Sequence, residues 1–286
     1  MLYAPPRVIT QQGVLANGTF GIWQQGLGPF TASGVRTADG WLTTLQGTST
    51  ITISAETTIV YAPASSRSLK AIYVQGSQNS LLSQKLHDWS QCRSKYVTFR
   101  CYVNCSVASA VRIAVYDGVT RWFSPYHSGG GAWEQLYVAS DLVSNSNTTL
   151  VCELWMEKSG TYYFDSADTF VSTQGAIPVA TEFWESDPLY ERERIYRFIQ
   201  AIDVDVSFNA VANNQTHECL LVLPTQLFGG TPTISTLTAG THTNVNTITY
   251  ANTTNGQQNG VTLSLISDLP GDVIVSGETI LLESYP

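Results

Sequence analysis

Charged side chains are scarce in this chain of 286 residues: Asp, Glu, Lys and Arg make up 13% of it, against roughly 25% in an average soluble domain. The formal net charge is -8, and no segment concentrates Lys and Arg. Because proteins that bind nucleic acid need clustered basic side chains to neutralise phosphates, we expect no nucleic-acid partner. A surface built from Thr, Ser, Asn and Gln suits a subunit of a large assembly or a binder of neutral ligands.

Long apolar runs are missing as well. No stretch approaches the roughly 18 apolar residues of a membrane-spanning helix, so no membrane span is expected. The first ten residues lack a basic start followed by an apolar segment, and we therefore expect no secretion signal. The chain has five cysteines. None has metal-ligand spacing beside a histidine, which favours reduced, buried thiols and assembly in a cytoplasm.

Motifs of the common enzyme classes are also absent from the sequence. It contains no G-x-S-x-G, no H-E-x-x-H, no phosphate loop and no G-x-G-x-x-G at the start of a helix. The sequence therefore predicts no catalytic residues. A glycosidase needs only two carboxylates, and Glu153 and Glu157 would share one face of a predicted strand. A polysaccharide-degrading enzyme thus remains a less favoured alternative.

What the sequence does contain is strand periodicity, most clearly over residues 95–170. Apolar side chains recur there at every second position, which indicates strands with one buried face. The predicted inward set is Val97, Phe99, Cys101, Val103, Val111, Ile113, Val115, Leu136, Val138, Leu150, Cys152, Leu154 and Met156. Trp41 and Trp133 open apolar strands and are also assigned to the core. The predicted fold is all-β, with an N-terminal β-sandwich of the jelly-roll type.

The outward positions of the same strands carry aromatic and arginine side chains in place of the usual Thr, Ser and Lys. The candidate glycan-binding residues are Tyr102, Arg112, Tyr116, Trp122, Tyr126, Tyr137 and Trp155. If neighbouring strands bring Tyr102, Tyr116, Tyr137 and Trp155 together, they form a flat platform for sugar rings. Subunit interfaces are enriched in the same residue types. A glycan site, an interface and a merely decorated outer sheet therefore all stay open.

Changes in composition divide the chain into four parts. Residues 1–12 are an extended N-terminal arm, 13–172 the jelly roll, 173–202 a linker with a short helix, and 203–286 a smaller antiparallel β-sandwich. The helix is predicted because Asp187 can cap it and Pro188 suits its first position. This charged helix either pairs with other copies at a symmetry axis or folds against its own second domain.

One metal site is predicted. Asp165 and Asp168 end the jelly roll and Asn17 lies near its start, and the first and last strands of jelly rolls often meet. Oxygen ligands placed there would suit a structural Ca²⁺. The alternative is that these residues are ordinary turn acids at a strand end. No other cofactor is expected.

Several motifs, in their order along the chain, carry a resemblance to a known group of proteins. They are residues 17–24 (NGTFGIWQ), 37–41 (TADGW), 95–99 (KYVTF), 132–136 (AWEQL), 163–165 (YFD) and 190–197 (YERERIYR). The first five resemble the carbohydrate-binding-module-like jelly rolls of bacteriophage fibre and other virion proteins. The sixth, with the small β domain behind it, looks like the C-terminal part of the same phage proteins.

The resemblance implies a structural virion protein, either a tail or head fibre or a capsid-decorating subunit. It also implies a homotrimer that contacts other virion proteins, assembles in the host cytoplasm and resides in the virion. The resemblance does not imply that sugar binding is retained, so a subunit that binds a host-surface glycan and a purely structural cement or fibre subunit without a ligand both stay open. Gln25 and Gly40 stand where the family has arginines, so interactions made by those arginines are not carried over.

Overall fold

The computed structural model describes residues 11–12, 15–61, 66–86, 89–173, 199–210, 216–222, 233–238, 241–243, 245–255, 258–267 and 271–283. These residues form strands and one short 3-10 turn, Trp89–Cys92, and they include no α-helix. The predicted all-β fold is therefore confirmed. The predicted helix after Asp187, residues 174–198 of the predicted linker and most of the N-terminal arm lie outside the described residues. Residues 199–202, which are also predicted to be linker, instead begin the strand Ile199–Ala210. The chain divides into two units, Met1–Glu191 and Arg192–Pro286.

The described part of the first unit forms two antiparallel sheets. In the first sheet the strand order is β3-β4-β11-β6-β9, with β1 beside β11; in the second it is β2-β5-β10-β7-β8. The bounds are β1 Gln11–Gln12, β2 Leu42–Thr44, β3 Thr50–Glu56, β4 Ser68–Val74, β5 Ser80–Lys85, β6 Tyr96–Cys105, β7 Val111–Tyr116, β8 Arg121–Phe123, β9 Trp133–Ala139, β10 Val151–Met156 and β11 Gly160–Ser172. Most chain connections cross from one sheet to the other, as in a jelly roll, whereas β3–β4 and β7–β8 are hairpins within one sheet.

The core lies between the two sheets and follows the alternation in the sequence. Every residue of the predicted inward set is buried, and all of them belong to one apolar cluster. Phe99 and Val103 come from the first sheet, while Ile113 and Leu154 come from the second. Trp41 is fully buried beside them. Because side chains alternate faces along a strand, burying one face leaves the intervening residues on two outer faces that point in opposite directions.

The N-terminal motif residues 17–24 have a structural role at the edge of this sandwich. Strand β11 bulges between Asp165 and Asp168, and the Ala167 amide there donates to the Gly18 carbonyl at 2.8 Å. A Cβ on Gly18 would lie 1.9 Å from the Ala167 oxygen, so only glycine fits this approach. Phe20 packs on Trp41 with ring centroids 5.1 Å apart. The motif thus joins the start of the jelly roll to its last strand.

The described part of the second unit forms two further antiparallel sheets. One has the order β12-β18-β14 with β15 beside β18, and the other has the order β13-β17-β16. The bounds are β12 Ile199–Ala210, β13 Thr216–Val222, β14 Thr233–Thr238, β15 Thr241–Thr243, β16 Val245–Asn255, β17 Gln258–Ser267 and β18 Gly271–Glu283. Leu265 and Val275 are buried in it. Across both units, none of the described residues forms a helix with the length and hydropathy needed to cross a bilayer.

Candidate functional site

The predicted aromatic platform is divided among three places in the structure. Tyr102 on β6 and Tyr137 on β9 lie on the outer face of the first sheet, because these strands pair in register. The remaining strand residues, Arg112, Tyr116 and Trp155, lie on the outer face of the second sheet. The prediction that Tyr102, Tyr116, Tyr137 and Trp155 share one platform is therefore wrong. The chain crosses between the sheets from β6 to β7 and again from β9 to β10, so residues of these neighbouring strands lie on opposite sides of the sandwich.

The first of these places is an aromatic surface that we call the Tyr102 face. It consists of Tyr61, Tyr102, Trp133, Gln135 and Tyr137. The Tyr61 ring stacks on Tyr102 with centroids 3.6 Å apart, and it meets Trp133 edge-on at 5.9 Å. The Gln135 amide donates to the Tyr102 hydroxyl at 3.2 Å. The Tyr137 side chain is 48% exposed, so this surface presents an open ring beside neutral hydrogen-bonding groups.

A buried ion pair adjoins the Tyr102 face on the same side of the sheet, because Arg100 lies opposite Tyr137 on β9 and opposite Asp168 on β11. Arg100, which is 1% exposed, lies 3.6 Å from Asp168 and stacks over the Phe170 ring at 4.7 Å. Burial lowers the pKa of the Arg100 guanidinium, and the charge of Asp168 opposes that shift. Nearby, the Tyr61 amide donates to Asp165 at 2.8 Å, which fixes the segment that carries the stacked ring. The positive charge closest to this face is therefore held beneath its surface.

The hydroxyl of Tyr102 is kept neutral over a wide pH range. Burial, followed by a hydrogen bond with Tyr61, raises the pKa of Tyr102 to about 12. A neutral phenol both donates and accepts hydrogen bonds. Together with the Gln135 amide, it gives the face the kind of uncharged donors and acceptors that pair with sugar hydroxyls.

The second place, which we call the Arg121 face, is the outer surface of the second sheet. It consists of Arg112, Tyr116, Arg121, Phe123, Tyr126, Glu153, Trp155 and Glu157. Arg121 binds Glu153 through two hydrogen bonds, 2.7 Å from Nε and 3.1 Å from Nη2. The Trp155 indole donates to the same carboxylate at 2.7 Å. Arg112 pairs with Glu157 at 2.6 Å, and the Tyr126 hydroxyl donates to Glu157 at 2.8 Å.

Guanidinium groups lie over the aromatic rings of the Arg121 face. Arg112 lies 3.7 Å from the Phe123 centroid and 4.8 Å from that of Tyr126. Arg121 lies 4.2 Å from the Tyr116 centroid and 5.1 Å from that of Trp155. These cation–π contacts occupy the ring faces that a sugar would need.

Glu153 and Glu157, the two carboxylates that a glycosidase would need, belong to the Arg121 face. Glu153 is only 4% exposed, and three nitrogen donors surround it. Glu157 is held by Arg112 and Tyr126. A polysaccharide could not approach the buried Glu153 without displacing Arg121. The geometry therefore does not favour these two residues as an acid and base pair.

The third place is a pocket of about 440 Å³, which we call the Trp122 pocket. Trp122 on β8 lines it together with two loops, residues 117–120 and 141–148. The Trp122 indole donates to Asp141 at 3.1 Å. The side chain that sequence reasoning grouped with a platform thus belongs to a separate concave site at an edge of the second sheet.

The predicted calcium ligands are engaged by protein groups. The Asn17 amide oxygen accepts from the Ile22 amide at 3.0 Å, and its nitrogen donates to the Ile22 and Asp39 carbonyls. Asp165 accepts from Tyr61, while Asp168 pairs with Arg100. Across the part of the chain that the structure describes, no group of three or more His, Cys, Asp or Glu side chains is placed to hold a metal ion. The calcium site stays a prediction, and the contacts of Asn17, Asp165 and Asp168 do not support it.

Sequence reasoning missed Tyr61, Trp133 and Gln135. Trp133 was assigned to the core because it opens an apolar strand, but it pairs with Asn104 and shares that residue's outward parity. The alternation within β9 would have corrected this, because Leu136 and Val138 point inward and Trp133 has the opposite parity. Tyr61 follows β3 in a segment without periodicity, so no pattern in the sequence marks it.

Comparisons with known proteins return solved structures of low sequence identity that match about half of this chain. No protein-family model and no curated protein sequence matches the chain. A Stig cyclase from Fischerella sp. TAU is 13% identical, with a TM-score of 0.40 over 56% of this chain and 96% of that chain. The xylan-binding domain CBM22-1 of Paenibacillus barcinonensis is 15% identical, with a TM-score of 0.38 over 51% of this chain and 95% of that chain. The enzymatically active domain of bacteriophage CBA120 tailspike protein 4 is 9% identical, with a TM-score of 0.42 over 55% of this chain and 21% of that chain.

Proposed function

We propose that this chain is a structural protein of a bacteriophage virion and that its jelly roll binds a neutral glycan on the Tyr102 face. The observation that carries the binding proposal is the open ring of Tyr137, 48% exposed, beside the Tyr61–Tyr102 stack and the Gln135 amide. The virion role is supported by the order of the sequence motifs that resemble phage proteins. We extend that resemblance to a homotrimeric fibre or decoration subunit that attaches to host-surface glycans.

The polarity of the Tyr102 face favours a neutral ligand. Its hydrogen-bonding groups are phenols and an amide, and the nearby guanidinium of Arg100 is buried against Asp168 and Phe170. Among the described residues, no guanidinium or ammonium lies over the rings of this face. A carboxylated or sulfated sugar would therefore find no exposed positive partner there, whereas the apolar side of a neutral sugar ring can stack on an open aromatic ring.

The length of the face suits an oligosaccharide. Trp133 and Tyr137 lie on one side of strand β9 and are four residues apart. At a rise of about 3.4 Å per residue, they are separated by roughly 13 Å. Tyr61 and Tyr102 lie beside this line. We expect several sugar units to contact the face at once, and therefore expect affinity to rise with chain length.

The binding proposal is tested with a matched pair of tyrosine variants on opposite faces. Tyr137 and Tyr126 have similar exposures, 48% and 39%, and lie on the Tyr102 face and the Arg121 face respectively. Glycan-array and affinity-electrophoresis measurements on the full chain should show binding to a neutral polysaccharide. Tyr137→Ala should weaken it roughly tenfold or more, as expected for loss of a main contact residue.

Tyr126→Ala is the control and should leave the affinity unchanged. Equal losses in the two variants would contradict the assignment of the site to the Tyr102 face. Absence of binding to any neutral glycan by the folded wild-type chain would refute the binding proposal as a whole. Mass spectrometry of purified particles of the corresponding phage tests the virion role separately.

A second candidate function is a purely structural subunit without a ligand. The observation that favours it is the composition of the Arg121 face, because Arg, Trp and Tyr are the residues enriched at interface hot spots. In that case the mass in solution should exceed that of one chain, 31.2 kDa. Substituting Phe123, which is 36% exposed on this face, with Glu should then reduce the mass to that of the monomer, and the folded wild-type chain should bind no glycan.

A further inference from the structure

The Trp122 pocket has the size of a small-molecule binding site. It lies where the turn between β7 and β8 meets the loop between β9 and β10, at the edge of the second sheet. Its volume of about 440 Å³ falls at the lower end of the range for small-molecule sites, roughly 300–1,000 Å³. A pocket of this size suits one or two sugar rings, in contrast to the long open surface of the Tyr102 face.

The walls of the pocket are held in place by their own hydrogen bonds. Asp117 accepts from the amides of Val119 and Thr120 at 2.9 and 2.7 Å, which fixes the first loop. Arg93 donates through Nε and Nη2 to the Asn147 carbonyl at 3.1 and 2.6 Å, which fixes the second. A preformed pocket loses little conformational freedom when a ligand enters, so more of the contact energy appears as affinity.

The chemistry of the lining favours a neutral polyhydroxylated ligand. Trp122 supplies an aromatic surface, Asp117 and Asp141 supply carboxylate acceptors, and Ser146 supplies a hydroxyl. Of the described residues that line the pocket, none is Lys or Arg, which disfavours anionic sugars. Hydroxyl groups on adjacent sugar carbons can donate to the two oxygens of one carboxylate, and such hydrogen bonds to charged groups are among the stronger ones.

One buried donor in the lining lacks an acceptor. Asn147 is 6% exposed, and its side-chain oxygen accepts from the Thr149 amide at 2.8 Å. The Nδ2 atom of Asn147 is buried and has no hydrogen-bond partner among the described residues. Buried polar groups are rarely left unsatisfied, and those that are call for an explanation. Because less than 1 Å² of this atom is accessible, a ligand oxygen can accept from it only after the Asn147 side chain rotates towards the pocket.

We propose that the Trp122 pocket is a second carbohydrate site, which binds the terminal residue of a neutral glycan. The proposal takes its ligand class from the proposed function but uses none of the same residues. The two carboxylates could instead attract a divalent cation. However, Asp117 already accepts two amides and Asp141 accepts the Trp122 indole, and the pocket offers no third carboxylate among its described lining residues.

The test uses the full chain, labelled with ¹⁵N, and the methyl glycosides of glucose, galactose, mannose and xylose as probes. The indole resonance that disappears in Trp122→Phe identifies Trp122. We expect this resonance to shift saturably with at least one probe. Asp141→Ala removes an exposed carboxylate and should weaken that binding roughly tenfold, the effect of losing one hydrogen bond to a charged group.

Two controls separate the pocket from its surroundings. Asn145→Ala changes the same loop at an exposed residue outside the lining, and it should leave the affinity unchanged. Tyr137→Ala should leave monosaccharide binding at Trp122 intact even where it weakens polysaccharide binding. If Tyr137→Ala does not weaken polysaccharide binding, this result counts against the Tyr102 face alone and does not affect the proposal for the Trp122 pocket.

Three results would overturn the inference. The first is no shift of the Trp122 resonance with any probe at any attainable concentration. The second is a shift with the same affinity in wild type and Asp141→Ala. The third is a shift caused by Ca²⁺ and abolished by Asp141→Ala, with no response to the glycosides, since this would make the pocket a cation site.

Discussion

The ion pair between Arg121 and Glu153 gives a sharp test of how the Arg121 face is built. Glu153 is 4% exposed, whereas the Arg121 side chain remains 31% exposed. Arg121→Met keeps much of the aliphatic part of the side chain. It removes both Arg121 hydrogen bonds to the buried Glu153 carboxylate, which then keeps the one from the Trp155 indole. Removing one partner of a buried pair costs roughly 3–5 kcal/mol. Because Arg121 is partly solvated, we expect about 2–4 kcal/mol.

The reverse change should cost less. In Glu153→Gln, Arg121 loses its partner but can still be hydrated, so we expect a loss of about 1 kcal/mol. The double variant should be more stable than the sum of the two single losses predicts, with a coupling of roughly 1–3 kcal/mol. The asymmetry between the single variants is the main prediction, since it follows from the different burial of the two side chains.

Tryptophan fluorescence during urea unfolding is a suitable assay. All seven tryptophans of the chain lie before residue 192, so the signal reports the first unit alone. The stability change is obtained by linear extrapolation to water. For a unit of this size, 3 kcal/mol corresponds to a shift in Tm of roughly 6–12 °C. Equal losses in the two single variants, or a double variant with fully additive losses, would show that Glu153 is not held as the structure shows.

Two further predictions concern local structure. Gly40 has φ +89°, and a Cβ there would lie 2.5 Å from the Gln84 amide nitrogen. Gly40→Arg should therefore destabilise the first unit by about 1–3 kcal/mol in urea unfolding, and an unchanged midpoint would contradict this. Hydrogen bonds from Thr58, first from its side chain, lower the pKa of Glu56 from 4.5 to about 2. Because the folded-state pKa is depressed, the stabilisation is present above pH 4.5 and lost as the pH falls towards 2, so the Tm difference between wild type and Glu56→Gln should shrink over that interval. A difference that is independent of pH would contradict the assignment.

The core of the first unit was predictable because apolar side chains recur along its strands with a period of two. Val97 to Val103 and Cys152 to Met156 alternate strictly, and the structure buries each apolar member. Such a pattern depends only on the pleat of a single strand, which is a local property of the chain. Gly18 and Phe20 stood out because they belong to a sequence motif. Their role in joining the start of the jelly roll to β11 became visible only in the structure.

The candidate site was only partly predictable, because alternation does not say which sheet a strand joins. Tyr102 and Tyr116 have the same outward parity in their own strands, yet β6 belongs to one sheet and β7 to the other. That assignment depends on pairings between strands distant in sequence. Trp133 is a different case, since the alternation within β9 already places it on the side opposite to Leu136 and Val138; only its neighbour Asn104 on β6 required the structure. Tyr61 reached the face from a loop, where no periodic signal exists.

The composition of the two faces is similar, so composition alone could not separate a glycan site from an interface. What separates them is the position of the cations. On the Arg121 face, Arg112 and Arg121 lie over the aromatic rings. On the Tyr102 face, Arg100 is stacked on Phe170 beneath the surface, and the Tyr137 ring stays open. Because the outer faces of a two-layer sandwich point in opposite directions, a subunit packed through the Arg121 face would still present the Tyr102 face outwards. The two proposed functions, glycan binding and subunit packing, can therefore coexist in one protein, and variants on one face should leave the function of the other unchanged.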